Sequence, residues 1–258
     1  MPEENMKLED YLAQGGVLTS PGNVTPRYRA ELMRMMASFV DSELAGAAGF
    51  ADIINQGPGV KERIAAARIV LEKTDHADQI LKLMGEFGAN TDRYATHHPW
   101  TDRLDRDAAV GAERTTTDMR LAVFNYPLKD WSDAVVMNLL MGLAVGVQMP
   151  EYAMISYQPM AEVIRRIAPV EAHHTELAAE GIAKLMAGDN AEALQDSVDY
   201  WTPRVALSFG NEKSSRFVAL RSMGLRHHKN SELRTRWNAE AKSAVTGLGL
   251  VFPDILQA

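Results

Sequence analysis

The 258-residue chain contains no cysteine. That excludes disulfides, thiolate-held metals, iron–sulfur clusters and cysteine nucleophiles. Basic residues are also scarce: 27 Lys and Arg stand against 34 Asp and Glu, a net charge of −7. A phosphate-backbone partner needs concentrated Lys and Arg, so no nucleic-acid role is expected. The small basic group Arg226-His227-His228-Lys229 reads as a solvated helix end. Met1-Pro2-Glu3-Glu4 has neither the basic nor the apolar part of a leader, which points to a cytoplasmic protein. The most apolar stretch, 134–147, is 14 residues long and broken by Asn138. It is too short for a bilayer, so no membrane role is expected and a buried core helix is. Gly-x-Gly-x-x-Gly, P-loop and Gly-x-Ser-x-Gly patterns are missing as well, leaving nucleotide-dependent and serine-hydrolase chemistry without support.

Strand-type alternation is almost absent, and helical periodicity takes its place. Thr25-Pro26 is a cap followed by proline in the first turn, and apolar spacing then runs from Leu32 to about Ile54. Gly57-Pro58-Gly59 interrupts it. A second helix is expected over about 60–87, ending at Gly88. The polar stretch 90–116 reads as loop with short helical pieces. A third helix is expected over about 131–151, broken near Pro150, and a fourth over about 157–186 with Pro159 near its start. Further helices are expected near 191–209, 212–228 and 230–246. With no low-complexity segment and no linker long enough to divide domains, the pattern predicts one all-α domain long enough to bury its own core. It comprises an extension (1–24), a four-helix bundle (25–187) and additional C-terminal helices (188–258).

Chemistry concentrates at few positions. Glu43 lies in an apolar part of the first long helix, His76 lies in the second, and Glu171-x-x-His174 lies in the fourth. At three-residue spacing a carboxylate and an imidazole point the same way from adjacent turns, so both can reach one metal ion. Carboxylate-bridged diiron bundles use two such pairs plus one lone carboxylate from each remaining helix. The order found here is the diiron order, but the second pair is faulty: Lys73 stands where a Glu is needed. The third helix has no acid inside its apolar stretch.

An ammonium about 4 Å from a divalent ion is repelled by roughly 8 kcal/mol at an effective dielectric near 20. Two metals and a charged Lys73 are therefore not expected to share the pocket. Lys73 is expected to replace the metal, pairing with Glu43 or Glu171 in a buried ion cluster. Glu72 offers an alternative, a shifted ligand for a single metal, because it lies only about 40° from His76 around the helix. His173 points about 100° away from His174 and reads as packing or as a support behind the metal ligands. His97 and His98, before Pro99, read as surface.

Several further motifs have no generic helical reason to occur together. They are Ser42-Glu43, Phe124-Asn125-Tyr126-Pro127 with Trp131, Ser156-Tyr157 with Pro159, and Tyr200-Trp201 with Pro203. Ser208-Phe209-Gly210-Asn211, Asn230-Ser231-Glu232-Leu233-Arg234, Gly247-Leu248 and Pro253-Asp254 complete the set. Together they resemble the phenylacetic acid catabolic proteins, in particular the catalytic chain of the phenylacetyl-CoA ring-1,2-epoxidase type, from about residue 25 onward. The resemblance implies a ferritin-like fold and aerobic aromatic degradation through coenzyme A thioesters. It implies a diiron oxidoreductase that puts one atom of O2 into the aromatic ring. It also implies a companion subunit, silent and ferritin-like, together with a flavin and iron–sulfur reductase fed by NADPH. Iron ligands carried over by position fall on Glu43, His76, Glu171 and His174. The other two fall on Lys73, where the family has Glu, and on Gly142, where it has Asp.

Two readings follow. The first is an atypical or non-catalytic relative with no iron, acting beside such partners or as a homodimer, with an acyl-CoA as its possible ligand. The second is a working monooxygenase with a rearranged, one-metal site that uses Glu72.

Overall fold

The computed structural model describes residues 8–114, 118–211 and 215–254. Among these, one isolated parallel bridge joins Leu18 to Tyr157 and no strand forms. The helices are α1 (Leu8–Ala13), α2 (Pro26–Ile53), α3 (Val60–Glu86), α4 (Thr91–His97), α5 (Trp131–Ala153), α6 (Gln158–Met186), α7 (Ala191–Ala206), α8 (Phe217–Ser222) and α9 (Asn230–Gly247).

Local chemistry sets the ends of the long helices. Thr25 caps α2 through its side chain, which accepts from the Tyr28 N–H, and Pro26 fills the first turn. Asp130 caps α5 by accepting from the Asp133 N–H at 3.0 Å. Gly88, with φ of +81°, turns the chain away after α3. The helices α2 and α3 pair, α5 and α6 pair, and the two pairs close through α3 against α6 and α2 against α5. The result is an all-α, ferritin-like four-helix bundle. Both α7 and α9 pack on α5 from outside, so α5 is covered on more than one side.

Apolar burial holds the two ends of the bundle. One core gathers α5, α6, α7 and α9 around Trp201 and Trp237, both fully buried. Each such ring stabilises the fold by roughly 4–6 kcal/mol of area removed from water. The Trp237 indole N–H is satisfied by the Leu140 carbonyl at 2.9 Å. The other core joins α2, α3 and α6 around Tyr28, Leu32, Met36, Ile80 and Ile164.

Some expectations need correction. Pro150 does not break the third helix, which runs on to Ala153 with Met149 and Glu151 buried on either side of the proline. Tertiary burial there outweighs one missing N–H. The apolar run thus belongs to a 23-residue helix, long and apolar enough to cross a membrane, yet 78% of its most apolar window is buried inside the fold. Of the helix expected over 212–228, only Phe217–Ser222 forms, and 212–214 lie outside the described residues. The extension is tied to the start of α6, where the Leu18 N–H donates to the Ser156 carbonyl and the Leu18 carbonyl accepts from the Gln158 N–H.

The basic group 226–229 is likewise engaged rather than simply solvated. Buried Glu151 accepts the backbone N–H groups of His227 and His228 at 2.8 and 2.9 Å, and the His228 ring at 2.6 Å. Burial opposes the Glu151 charge, but these donors prevail and hold its carboxyl below the usual range.

Candidate functional site

At the centre of the bundle α2 contributes Glu43, α3 contributes Lys73 and His76, and α6 contributes Glu171 and His174. All five are buried, from 1% exposure at His174 to 6% at Glu43 and Lys73. Helical periodicity explains the convergence. Residues three apart on α3 and on α6 share a face, and the packing of α3 against α6 turns those faces together.

Lys73 joins both acids rather than one. Its Nζ lies 2.9 Å from Glu171 and 3.4 Å from Glu43. His76 Nδ1 reaches the same two carboxylates, at 3.0 Å to Glu171 and 3.5 Å to Glu43. Burial alone would drive the proton off Lys73, but Glu171 and Glu43 outweigh it and hold the ammonium above its ordinary range. Burial likewise lowers His76, yet its bonds to Glu171 and Glu43 carry it up to about 9. Burial raises Glu171, and Lys73 with the two histidines overrides this, holding it well below the usual carboxylate range. Glu171 thus faces an ammonium and an imidazolium, and Glu43 lies against the same two cations.

Glu72 does not join His76. Its carboxylate, partly exposed at the edge of the bundle, accepts from His174 Nε2 at 2.6 Å. The other nitrogen of that ring, Nδ1, is buried without a hydrogen-bond partner, 3.6 Å from Glu171. His173 is exposed and pairs with Glu176 on the surface, so it neither packs in the core nor supports the buried cluster. Asn138, which interrupts the apolar run of α5, donates to the His174 carbonyl at 3.0 Å and so links α5 to the turn of α6 that carries His174.

The residues present do not fit a two-iron centre. Glu43, His76 and Glu171 bring ligand atoms within 4.8 Å of one another, a spacing that could serve one cation, but the Lys73 ammonium already stands among them. Position 142 supplies no ligand. A Cβ there would overlap Thr175 Oγ1 and stand 3.1 Å from Thr175 Cβ, so α6 has taken the room a carboxylate would need. Sequence spacing points to Lys73 and Gly142; nothing in it points to Thr175, because that exclusion depends on how closely α5 approaches α6.

The segment before α5 covers the cluster, held by the α2 turn that carries Glu43. Asp41 accepts from Tyr94, from the Met119 N–H and from His98 Nε2, the last at 2.9 Å. Ser42 Oγ accepts from the Leu121 N–H at 3.0 Å, and Arg103 donates to the Ala45 carbonyl at 2.7 Å. Burial, with Arg120 nearby, brings Arg103 down to about 10. The His98 ring is only 5% exposed and stacks on Tyr94, so the surface assignment of this histidine was wrong. His97 is exposed, as expected.

Beneath this cover lies a cavity of about 80 Å³ with Glu43, Lys73 and Glu171 at one edge and Phe50, Phe124, Met137 and Met141 among its apolar walls. Its Ser38, Leu121, Gln148 and Tyr152 also line an outer cavity of about 310 Å³ bordered by Arg34, Arg216 and Arg226. In that outer cavity Ser208 Oγ and Arg226 Nη1 are buried without hydrogen-bond partners.

Comparison with known proteins agrees with this architecture. The chain is 24% identical over 253 residues to one component of the 1,2-phenylacetyl-CoA epoxidase of Escherichia coli (strain K12), an alignment covering 96% of this chain and 77% of that relative. A family model described as phenylacetic acid catabolic protein matches residues 17–258. With nearly its whole length matched, the chain belongs to the phenylacetic acid catabolic protein family.

Proposed function

We propose that this chain serves phenylacetate catabolism as a subunit that does no iron chemistry of its own, its metal pocket held shut by Lys73. The observation that carries the reading is the Lys73 ammonium bonded to both Glu43 and Glu171. A cation at that point performs the structural part of a metal's work, drawing α2, α3 and α6 together. It provides no open coordination position and no redox change. Gly142 and Thr175 support the reading from the other side of the pocket.

The relative's name concerns a phenylacetyl-CoA, and the two cavities suit a ligand of that shape. An arginine-bordered outer space favours phosphates, and the inner apolar space favours a hydrocarbon end. In this proposal the chain binds a coenzyme A thioester, in the cytoplasm, without transforming it. It works beside a companion subunit of an epoxidase assembly, where such partners are expected because the relative is itself one component of an epoxidase. A reductase then has no electrons to deliver here. The one-metal reading would need Glu72 beside His76, and Glu72 is instead spent on His174.

Metal analysis of the full chain purified from iron-supplemented growth tests the proposal. The expected result is iron far below one per chain, whereas close to two per chain would overturn it.

A further inference from the structure

We propose that Gln148 on α5 positions the bound thioester, donating an amide N–H to its acyl carbonyl where the two cavities meet. This rests on the thioester reading of those cavities and adds the residue that holds the ligand's middle. Helix α5 carries two amide side chains, both buried, and they differ in one respect. Asn138 is satisfied, donating to the His174 carbonyl at 3.0 Å. Gln148 is 7% exposed, and among the described residues its amide has no hydrogen-bond partner. A primary amide offers two N–H donors and a carbonyl acceptor. Holding all of them unused away from bulk water costs stability that an apolar side chain of similar size would not.

The place of Gln148 identifies its use. At about 100° per residue, Met137, Met141, Gln148 and Tyr152 fall within about 60° on one stripe of α5. Met137 and Met141 face the inner cavity alone, whereas Gln148 and Tyr152 line both cavities. Polarity therefore changes along the stripe at Gln148. Further out, the Arg226 guanidinium lies over the Tyr152 ring, 5.9 Å from its centre. A ligand with a hydrocarbon end, then a carbonyl, then a phosphate-bearing arm carries its groups in the same order. The inner cavity of about 80 Å³ has room for the hydrocarbon end and not for the arm behind it. The ligand's first polar group, the acyl carbonyl, then falls at the junction. Donors are few there. The Leu121 N–H is already given to Ser42, and the Ser38 and Tyr152 side chains are only half-buried. The unspent, fully enclosed donor is the Gln148 amide.

Isothermal titration calorimetry of the full chain tests this with phenylacetyl-CoA and with its thioether analogue, in which CH2 replaces the carbonyl. Gln148→Leu keeps most of the volume and removes the donors. It should weaken phenylacetyl-CoA about ten- to a hundredfold and leave the thioether within about twofold. The parent should prefer the thioester to the thioether by a similar factor, and Gln148→Leu should abolish that preference. The variant should melt at or above the parent's temperature, because no unpaired amide remains; a merely structural glutamine would show a fall. In isotope-edited infrared spectra the bound thioester C=O band should lie lower in the parent than in Gln148→Leu. Phenylacetyl-CoA binding indifferent to Gln148→Leu, or an equal loss for both ligands, would overturn the role of Gln148 and leave the thioester reading standing. A parent that binds neither ligand would overturn the thioester reading, and this inference with it.

Discussion

Replacing Lys73 with methionine keeps most of the side-chain volume and removes only the charge at the centre of the bundle. At an effective dielectric near 20, the ammonium gains roughly 6 kcal/mol from Glu171 at 2.9 Å and roughly 5 kcal/mol from Glu43 at 3.4 Å. Much of that gross figure is offset by taking the ammonium out of water. What the variant exposes is the cost of leaving two buried acids with only His76 between them. Loss of one member of a buried pair typically costs about 3–5 kcal/mol. For a chain of this size that is a fall in melting temperature of about 6–10 °C.

Removing the acids as well, in Lys73→Met/Glu43→Gln/Glu171→Gln, should recover much of the loss, since no uncompensated charge remains. Zn(II) or Fe(II) should raise the melting temperature of Lys73→Met, where Glu43, His76 and Glu171 become available, and leave the parent unchanged. Differential scanning calorimetry reads all of these. A Lys73→Met protein that melts within a degree of the parent, or above it, would refute the claim that this cation clamps the helices.

Three further outcomes follow from the same geometry. His76 faces Glu43 on α2, Lys73 on its own helix, and Glu171 and His174 on α6. Its folded pKa of about 9 lies above the ordinary 6.5, so its stabilisation is complete below about pH 6.5 and fades as pH rises through about 9. Glu171 is shifted down, so its share is present above the usual carboxylate range and fades on acidification. Urea denaturation at a series of pH values should show both limbs, and His76→Gln should flatten the alkaline one. Gly142→Asp should destabilise the fold by about 1–3 kcal/mol through overlap with Thr175, and Thr175→Ala in the same chain should relieve most of that, a coupling a double-mutant cycle measures. Glu151→Gln weakens the bonds to His227 and His228 and should cost about 1–3 kcal/mol in chemical denaturation.

The helices and the chemistry-bearing positions were legible in the chain because both follow local rules. A cap at Thr25, a glycine at 88 and apolar spacing on a helical period need no knowledge of the neighbours. The same spacing sets Glu171 and His174 on one face, and charge arithmetic alone marks Lys73 as incompatible with two metals beside it. Other features could be decided only by the packing of distant segments. Pro150 reads as a break until the burial of Met149 and Glu151 carries α5 past it. His98 reads as surface until Asp41, far away in sequence, draws it in. Whether Lys73 would bind Glu43, Glu171 or both depended on how α2 and α6 are set about α3. That Thr175 fills the room beside Gly142 depended on the gap between α5 and α6. A sequence carries direction around a helix, because that is geometry along one chain. Distance between helices is a sum over every side chain packed between them, and that sum exists only in the folded molecule.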